Sequence, residues 1–256
     1  MYQEERLVLI LEHIRIHQRV SVQEICDLFG VSRDTARRDL VKLDEQRAII
    51  RTRGGAILPT LSKQVYGYKE RLHRESTSKR QIGRVAASLV KEGDYIILDA
   101  STTVQFVAEY LSARDVVAIT NAIDIADILS AKDRVTIHLL GGRLDREHRF
   151  LYGASTIAKV ADYRVDKLFL GVGGISADGL SYPHEEEGYV KREMIRRADQ
   201  VIVLADQTKF GKRLFHKVSG LDPVDLIVTD RQPDDEMTRI LKEFNIEVMV
   251  VAEEGT

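Results

Sequence analysis

Seven short runs of consecutive apolar residues in the later part of the chain set the strongest limit on its fold. Stretches with helical periodicity separate the runs, and the clearest cover 80–91, 103–112, 121–131, 187–198 and 234–244. Continuous apolar strands that alternate with helices indicate a mainly parallel sheet covered on both faces. The sequence therefore predicts an α/β domain over 81–256, with binding sites beyond the carboxyl ends of the strands. The predicted strands are 95–99, 116–120, 135–140, 167–172, 201–205, 226–229 and 248–251.

The first 58 residues follow a helical pattern instead. Apolar residues from Leu7 to Ile14 recur at helical spacing and form one stripe. Ser21 with Glu24 three residues later is a capping box, so a second helix begins near Val22 and is expected to bury its apolar residues through Leu28. Gly30 ends this helix, because glycine adopts a left-handed conformation without steric cost.

A third helix and a hairpin complete this N-terminal domain. Ser32 caps the third helix, and a tight turn joins it to the second, which predicts a helix-turn-helix over about 20–39. The segment 48–58 contains a Gly-Gly turn between β-branched residues and predicts a two-stranded wing. We therefore predict a winged helix-turn-helix domain over 1–58 and a charged linker over 59–80.

The third helix carries arginines on the side opposite its leucines. An arginine fork can bind guanine bidentately in the major groove or hold a phosphate. Hydroxyls at the helix start can contact the DNA backbone, and Arg51 and Arg53, predicted two apart on one face of the wing strand, can reach the adjacent backbone or minor groove. The alternative is a solvated face in which the arginines pair with Asp34 and Asp39. The predicted DNA-binding residues are Ser32, Arg33, Thr35, Arg37, Arg38, Arg51 and Arg53.

A second candidate site follows the first strand of the α/β domain. Asp99 precedes three hydroxyls, Ser101 to Thr103, where a strand ends and a helix begins. Hydroxyls beside free N–H groups at a helix start favour an anion, although an ordinary helix cap explains one such hydroxyl. Other strand ends converge on the same edge and supply Thr120, Asn121, Gly141, Gly142, Arg143, Gly173 and Gly174, with Lys191 and Lys209 as positive charges.

The motifs resemble those of a known family. The patterns R-x3-I-x3-I from Arg6, S-x2-T-A-R-R-D-L over Ser32–Leu40, and RTRGGAIL are similar to the N-terminal domain of the DeoR family of bacterial transcription regulators. ILDASTTV, LLGGRL, DKLFLGVGGI, VKREMI and ADQTKFG then follow in the order expected of that family's sensor domain. The resemblance covers essentially the whole chain.

This resemblance implies a repressor of a sugar-catabolic operon whose sensor domain is similar in fold to ribose-5-phosphate isomerase and binds a phosphorylated sugar. It implies that Asp99, Ser101, Thr102 and Thr103 hold the phosphate or a sugar hydroxyl. It also implies a pocket lined by Thr120, Asn121, Gly141, Gly142, Lys191 and Lys209. The stretch 181–195 departs from the usual pattern at Tyr182, Pro183 and His184, where contacts to the variable part of the sugar are expected.

Composition limits the alternatives. A formal net charge of −2 excludes a polycation, but it combines +6 over residues 1–90 with −8 over 91–256, as expected of a basic DNA-binding domain on an acidic sensor. A single cysteine excludes a disulfide-stapled module, and no apolar run is long enough to span a membrane. We expect a cytoplasmic homo-oligomer, a dimer or higher, without cofactor or metal.

The alternative function is a sugar-phosphate isomerase-like enzyme fused to a DNA-binding domain. Isomerisation needs a carboxylate base within reach of a C–H proton. Asp166 and Glu186 are available carboxylates. The strand that begins at Asp166 is otherwise apolar, however, so we expect no catalysis.

Overall fold

The computed structural model describes residues 3–17, 19–46, 48–57, 67–74 and 76–251. The chain forms two compact units, residues 1–65 and 66–256. No helix within the described ranges combines the length and the apolar character needed to cross a membrane.

The described part of the N-terminal unit contains three helices and a small antiparallel sheet in the order β1-β3-β2. Its core consists of the predicted apolar stripes, in which Ile10, Ile25 and Leu43 have no exposed surface. Only the two strands of the wing were predicted, and the additional strand, β1, pairs with β3. The elements are α1 (Gln3–His17), β1 (Arg19–Ser21), α2 (Val22–Phe29), α3 (Arg33–Glu45), β2 (Ile50–Thr52) and β3 (Gly55–Ile57).

Local sequence signals explain how these helices begin and end. Ser21 and Glu24 form the predicted capping box, and Gly30 has a φ of 62°. The Ser32 hydroxyl accepts a hydrogen bond from the Thr35 amide, as expected of a helix cap. The expected burial of Leu28 is wrong: its side chain is 53% exposed, because the stripe of this short helix packs through Ile25.

The second unit is built on a seven-stranded parallel sheet in the order β15-β14-β12-β9-β4-β5-β6. These strands contain all seven predicted runs, which confirms the predicted α/β fold. Helices α5, α6, α7, α9 and α10 correspond to the five predicted helical stretches. The strands of this sheet are β4 (Tyr95–Leu98), β5 (Val116–Thr120), β6 (Val135–Leu139), β9 (Val165–Gly171), β12 (Ala198–Leu204), β14 (Leu226–Thr229) and β15 (Glu247–Val250). The helices of the unit are α4 (Tyr68–His73), α5 (Ser76–Ser88), α6 (Thr102–Tyr110), α7 (Ile123–Ser130), α8 (Ala154–Ala161), α9 (Glu185–Arg197) and α10 (Asp235–Glu243).

The predicted linker over 59–80 is wrong in its second half. Residues 68–73 form α4 and residues 76–80 begin α5, and both helices belong to the second unit. The buried Tyr68 explains this, since its hydroxyl donates a hydrogen bond of 2.5 Å to the Gln105 side chain on α6. The first half of the predicted linker, through residue 66, lies outside the described residues.

Short antiparallel strands lie outside the main sheet and were not predicted. One pair is formed by β7 (Arg143–Asp145) and β8 (Phe150–Tyr152), and a three-stranded sheet has the order β10-β11-β13. The strands of the latter are β10 (Gly174–Ser176), β11 (Gly179–Tyr182) and β13 (His216–Ser219).

The order of the main sheet defines a switch point. From β4 the chain proceeds outward to β5 and β6, and then returns to place β9 on the other side of β4. The connections on the two sides of this point run in opposite directions, and ligands bind at such points in open α/β sheets. We call the region at the carboxyl ends of β4 and β9 the switch-point crevice. Asp99 follows β4, and Gly171 is the last residue of β9.

Candidate DNA-binding surface and ligand site

The outer face of α3 presents arginines to solvent. Ala36, Leu40 and Leu43 are buried on its inner face, while Arg37 and Arg38 are exposed. Opposite faces of one helix therefore serve the core and the solvent.

Surface ion pairing does not account for these arginines. Arg37 lies 4.0 Å from the Asp34 carboxylate, and both side chains are more than 60% exposed, so this pair is weak. The second proposed partner, Asp39, has no exposed surface and is bound to Arg6, with 2.6 Å between Arg6 Nε and Asp39 Oδ2. A face neutralised by Asp34 and Asp39 is therefore not what the structure shows.

The other predicted residues of this surface are partly engaged within the protein. The Arg33 guanidinium donates to the Gln23 side chain on α2 at 2.7 Å. The Ser32 and Thr35 hydroxyls lie 2.9 Å apart within the cap of α3. These contacts hold the start of α3 against α2.

The wing differs in detail from the prediction. Arg51 lies in β2 and is exposed, but β2 ends at Thr52, so Arg53 belongs to the turn and not to the same strand face. Gly55 in β3 packs directly against the backbone of Val20 in β1, where a Cβ has no room. Arg51 and Arg53 are both solvent-exposed.

In the second unit, Asp99 occupies the centre of the switch-point crevice. It is completely buried, and its carboxylate accepts hydrogen bonds from the Ser101 and Gly171 amides, each at 3.0 Å. Its Oδ2 also accepts a hydrogen bond from Lys191 Nζ on α9. Asp99 thus links β4, β9 and α9, and it offers an anion no direct contact because its own charge repels one.

Lys191 is buried and not solvated. Its ammonium group contacts Asp99, lies 3.3 Å from Glu187 Oε1, and sits 4.2 Å from the ring centroid of Tyr182. Burial opposes the charged form, but the attraction of Asp99 and Glu187 outweighs it and raises the pKa of Lys191. The crevice therefore contains a permanent cation between two carboxylates.

Glu187 was not predicted as a site residue. It lies one helical turn before Lys191 on α9, and it is 3% exposed. The i, i+4 spacing of an acid and a lysine is visible in the sequence, but the pattern is also typical of solvated helix faces. The run from Glu185 to Glu187 also suits the first turn of a helix, where negative charge is favourable.

The three hydroxyl residues after Asp99 lie at the start of α6. Ser101 is its N-cap and accepts a hydrogen bond of 3.2 Å from the Thr103 amide. Thr102 and Thr103 are each 5% exposed. The cap therefore exists, and it places two further hydroxyls in the buried first turn of a nine-residue helix that faces the crevice edge.

Residues after β5 and β6 lie along the same edge of the sheet. The Thr120 hydroxyl accepts a hydrogen bond from the Ala122 amide, and the Asn121 side chain donates one to the Leu151 carbonyl. The Gly141 carbonyl accepts a hydrogen bond from the Thr156 hydroxyl. Gly142 has a φ of 153°, and Arg143 is exposed. Asn121 retains a buried Oδ1 without a hydrogen-bond partner among the described residues.

Two predicted glycines have a structural role. A Cβ on Gly173 or Gly174 would overlap Leu214 or the Lys212 backbone, so protein packing, and not a ligand, explains the lack of a side chain there. Lys209 lies in a short 3₁₀ turn, 3.4 Å from Asp206 and 3.2 Å from the Thr208 hydroxyl. Lys209 is partly exposed at the end of β12, next to β9 in the sheet.

The comparisons with known proteins cover both units. A family model described as a DeoR-like helix-turn-helix domain matches residues 6–61, and one described as a DeoR C terminal sensor domain matches 74–231. The HTH-type transcriptional repressor GlcR of Bacillus subtilis (strain 168) is 53% identical over 99% of this chain and 98% of the relative. The glycerol-3-phosphate regulon repressor of Escherichia coli (strain K12) is 30% identical over 97% and 99%, respectively.

Among solved structures, ribose 5 phosphate isomerase A from Neisseria gonorrhoeae aligns with 53% of each chain at 16% identity and a TM-score of 0.39. A likeness at this level carries no argument about function. The exposed arginine helix, the wing and the attached α/β domain define a DNA-binding transcriptional regulator. The chain belongs to the DeoR family of these regulators.

Proposed function

We propose that this protein is a cytoplasmic repressor of a sugar-catabolic operon and that a phosphorylated sugar or a related metabolite controls its operator binding. The observation that carries the DNA-binding role is α3, whose exposed Arg37 and Arg38 are not neutralised by the buried Asp39. The repressor role is supported by the similarity to GlcR over nearly the whole chain.

In this proposal α3 lies in the major groove. Arg37 and Arg38 contact base edges or phosphates, while Arg33, Ser32 and Thr35 position the helix start on the backbone. Arg51 and Arg53 reach the adjacent backbone from the wing. One winged helix contacts too few base pairs for high specificity, so the protein reads repeated half-sites as a homo-oligomer.

The effector occupies the switch-point crevice of the second unit. Its phosphate accepts hydrogen bonds from the first turn of α6, at Ser101, Thr102 and Thr103, because N–H dipoles there favour negative charge. Lys191 supplies a neighbouring positive charge, and Asp99 and Glu187 accept hydrogen bonds from sugar hydroxyls. The remaining proposed lining consists of Thr120, Asn121, Gly141, Gly142, Arg143 and Lys209.

Control follows from linkage between the two sites. An effector that binds more tightly to the DNA-incompetent state shifts the population toward that state and releases the operator. Neither catalysis nor a cofactor is required. Asp166 is unsuited as a catalytic base, because it lies at the amino end of β9 and its carboxylate accepts a hydrogen bond from the Tyr95 amide at 2.8 Å. Turnover of ribose 5-phosphate by purified protein, lost in Asp99→Ala, would overturn the non-enzymatic proposal.

The DNA-binding proposal is tested with Arg37→Ala. We expect operator affinity to fall by about 1–3 kcal/mol if Arg37 contacts a base. Fluorescence anisotropy with DNA fragments from upstream of this protein's own gene and of the genes beside it measures this effect. Arg239→Ala, an exposed arginine on α10, is the control for loss of charge alone. Equal binding by wild type and Arg37→Ala would remove Arg37 from the DNA surface.

The effector proposal is tested with Thr102→Ala. Operator binding should be unchanged, whereas a panel of sugar phosphates should release the variant only at higher concentration. Thr238→Ala on α10 removes a similar hydroxyl away from the crevice and is expected to respond like wild type. A normal response from Thr102→Ala would refute the phosphate position.

A further inference from the structure

Three basic side chains from separate segments meet beside the crevice, and we call them the basic cluster. They are Arg71 on α4, His148 in the turn between β7 and β8, and His184 at the start of α9. The two imidazole rings lie 5.0 Å apart between centroids. The Arg71 guanidinium lies 5.8 Å from the ring centroid of Tyr68, which anchors α4 on α6.

The basic cluster holds buried polar atoms that the protein does not satisfy. Arg71 Nε and Nη2, His148 Nδ1 and His184 Nε2 are buried and have no hydrogen-bond partner among the described residues. His148 as a whole is 5% exposed. A buried donor without an acceptor is unfavourable, and native proteins rarely keep several together. These atoms are therefore suited to an acceptor that comes from outside the chain.

The nearest carboxylates are engaged elsewhere. Asp145 accepts hydrogen bonds from the backbone amides of Glu147 and His148, at 2.9 and 2.8 Å. Glu187 Oε1 faces Lys191 at 3.3 Å. Arg71 forms no ion pair with any residue in the described part of the chain, so these acids do not neutralise its positive charge.

The pKa of His148 also reflects the excess of positive charge in the basic cluster. Burial lowers the pKa of His148, and the positive charge of Arg71 lowers it further, with a smaller contribution from His184. Asp145 and Glu187 act in the opposite direction and do not compensate. An anion placed in the basic cluster would restore the balance, because it favours the protonated imidazole.

The basic cluster adjoins the crevice described above. His184 is the N-cap of α9, and Glu187 and Lys191 follow it in the first two turns of that helix. Glu187 also acts electrostatically on both His148 and Lys191. A ligand that contacts Lys191 can therefore extend toward the basic cluster along the start of α9.

We infer that the basic cluster binds a second oxyanion of the effector, a carboxylate or a phosphoryl group, at the end remote from the phosphate held by Ser101–Thr103. The Nε and Nη2 atoms of Arg71 form one edge of the guanidinium and match two oxygens of such a group. His148 and His184 add a hydrogen bond each. The inference rests on the proposed function and narrows it to sugar metabolites with two acidic ends.

Matched ligand pairs test this inference on the full chain. Isothermal titration calorimetry compares aldose phosphates with the aldonic acid phosphates of equal length, such as glucose 6-phosphate with 6-phosphogluconate and ribose 5-phosphate with 5-phosphoribonate. Fructose 6-phosphate and fructose 1,6-bisphosphate form the phosphoryl arm, and inorganic phosphate tests for a free ion. In the preferred pair, we expect the ligand with a second acidic group to bind about ten- to hundredfold more tightly than the ligand without it.

Two variants assign that preference to the basic cluster. Arg71→Gln should reduce the ratio of affinities to near one while leaving monophosphate binding in place. Arg74→Gln removes the same charge from the segment that follows α4, at a side chain 51% exposed and 3.9 Å from Glu70. We expect Arg74→Gln to retain the wild-type ratio.

The pH dependence gives an independent readout. The second oxyanion raises the lowered pKa of His148 when it binds, so the imidazole takes up a proton on binding. The affinity for that ligand should therefore increase as pH falls from 8 to 6. In the aldonic acid pairs the ratio of affinities cancels the ionisation of the phosphate that both ligands carry, and the carboxylate stays ionised over this range. His148→Asn should reduce the pH dependence of this ratio.

The outcomes separate this inference from the proposed function. Equal affinities within every pair, with binding still weakened by Thr102→Ala, would overturn the second subsite and leave the sugar-phosphate sensor intact. A preference that persists in Arg71→Gln would also overturn it. Tight binding of inorganic phosphate to the basic cluster, without discrimination within the pairs, would assign the cluster to a free ion. No binding of any member of the panel would overturn both proposals.

Discussion

Each unit buries a carboxylate against a cation, but the two arrangements differ in completeness. In the N-terminal unit, Asp39 on α3 accepts hydrogen bonds from Arg6 Nε at 2.6 Å, Arg6 Nη2 at 3.2 Å and the Gln3 side chain at 3.0 Å. In the second unit, Asp99 binds Lys191, while Glu187 Oε1 beside it is buried without a hydrogen bond from the described residues.

The difference shows that a buried ion pair does not by itself identify a functional site. The Arg6–Asp39 pair joins α1 to α3 within one small core and leaves neither carboxylate oxygen without a donor. The Asp99 group lies instead at a switch point of a parallel sheet, where ligands bind in such folds, and unsatisfied atoms surround it. Position and incomplete hydrogen bonding distinguish the second group from the first.

The largest effect is expected when the closed pair is broken. Asp39→Ala leaves the Arg6 guanidinium in an interface without its acceptor, and we expect the free energy of unfolding of the N-terminal unit to fall by about 3–5 kcal/mol. Hydrogen exchange resolved to peptides of α1 and α3 measures this loss separately from the second unit.

Asp34→Ala is the matched control for this substitution. Asp34 lies in the first turn of the same helix. Its carboxylate is 4.0 Å from the Arg37 guanidinium, and both side chains are exposed. A change within about 0.5 kcal/mol is expected there. Equal hydrogen-exchange rates of α1 and α3 in Asp39→Ala and Asp34→Ala would show that the buried Arg6–Asp39 pair stabilises the unit no more than the exposed Asp34–Arg37 pair does.

A smaller loss of stability is expected in the second unit from Lys191→Met. The substitution removes the cation that Asp99 and Glu187 share, at a cost of about 2–4 kcal/mol at pH 7. Because Lys191 belongs to the proposed effector site, the variant should also lose its response to the effector.

The pH dependence of Lys191→Met follows from Asp99. Burial raises the pKa of Asp99, and Lys191 opposes this in the wild type. The pKa of Asp99 is therefore already raised in the wild type, and without Lys191 it rises further above the unfolded value, so the variant keeps most of its stability at acidic pH and loses it as pH increases. Urea unfolding at pH 5 and pH 8 should therefore show a larger deficit at pH 8, and an equal deficit would contradict this cause.

The parts that could be predicted from sequence depend on local patterns. The stripe from Leu7 to Ile14, the Ser21–Glu24 capping box and the seven apolar strands are each specified within a few consecutive residues. The strand ends then converge because parallel strands share one edge, which placed Asp99 and Thr102 correctly near the switch point. Arg53, in contrast, was assigned to a strand because one residue decides where the wing turn begins.

The parts that were missed depend on contacts between distant segments. Of the basic cluster, only His184 was expected near the ligand. Arg71 and His148 are separated from it and from each other by dozens of residues, and each alone is an ordinary surface residue type. Helix α4 was interpreted as linker because six residues carry too little periodicity, and its stability comes from the contact between Tyr68 and Gln105. Neither Gly173 nor Gly174 could be distinguished from a ligand-facing glycine before the position of Leu214 was known.

The smallest effects are expected from removing a serine N-cap, and both units contain one. Ser21 caps α2 in the N-terminal unit, and Ser101 caps α6 beside the crevice. Each substitution by alanine should lower stability by about 1 kcal/mol, because one N–H group at the helix start loses its acceptor. Ser101→Ala should in addition weaken binding of the preferred sugar phosphate, whereas Ser21→Ala should leave its affinity unchanged. Thermal denaturation gives the first quantity and calorimetric titration the second. Equal ligand affinity in both variants would assign Ser101 to a purely structural cap, as in the N-terminal unit, and would move the phosphate contact to Thr102 and Thr103.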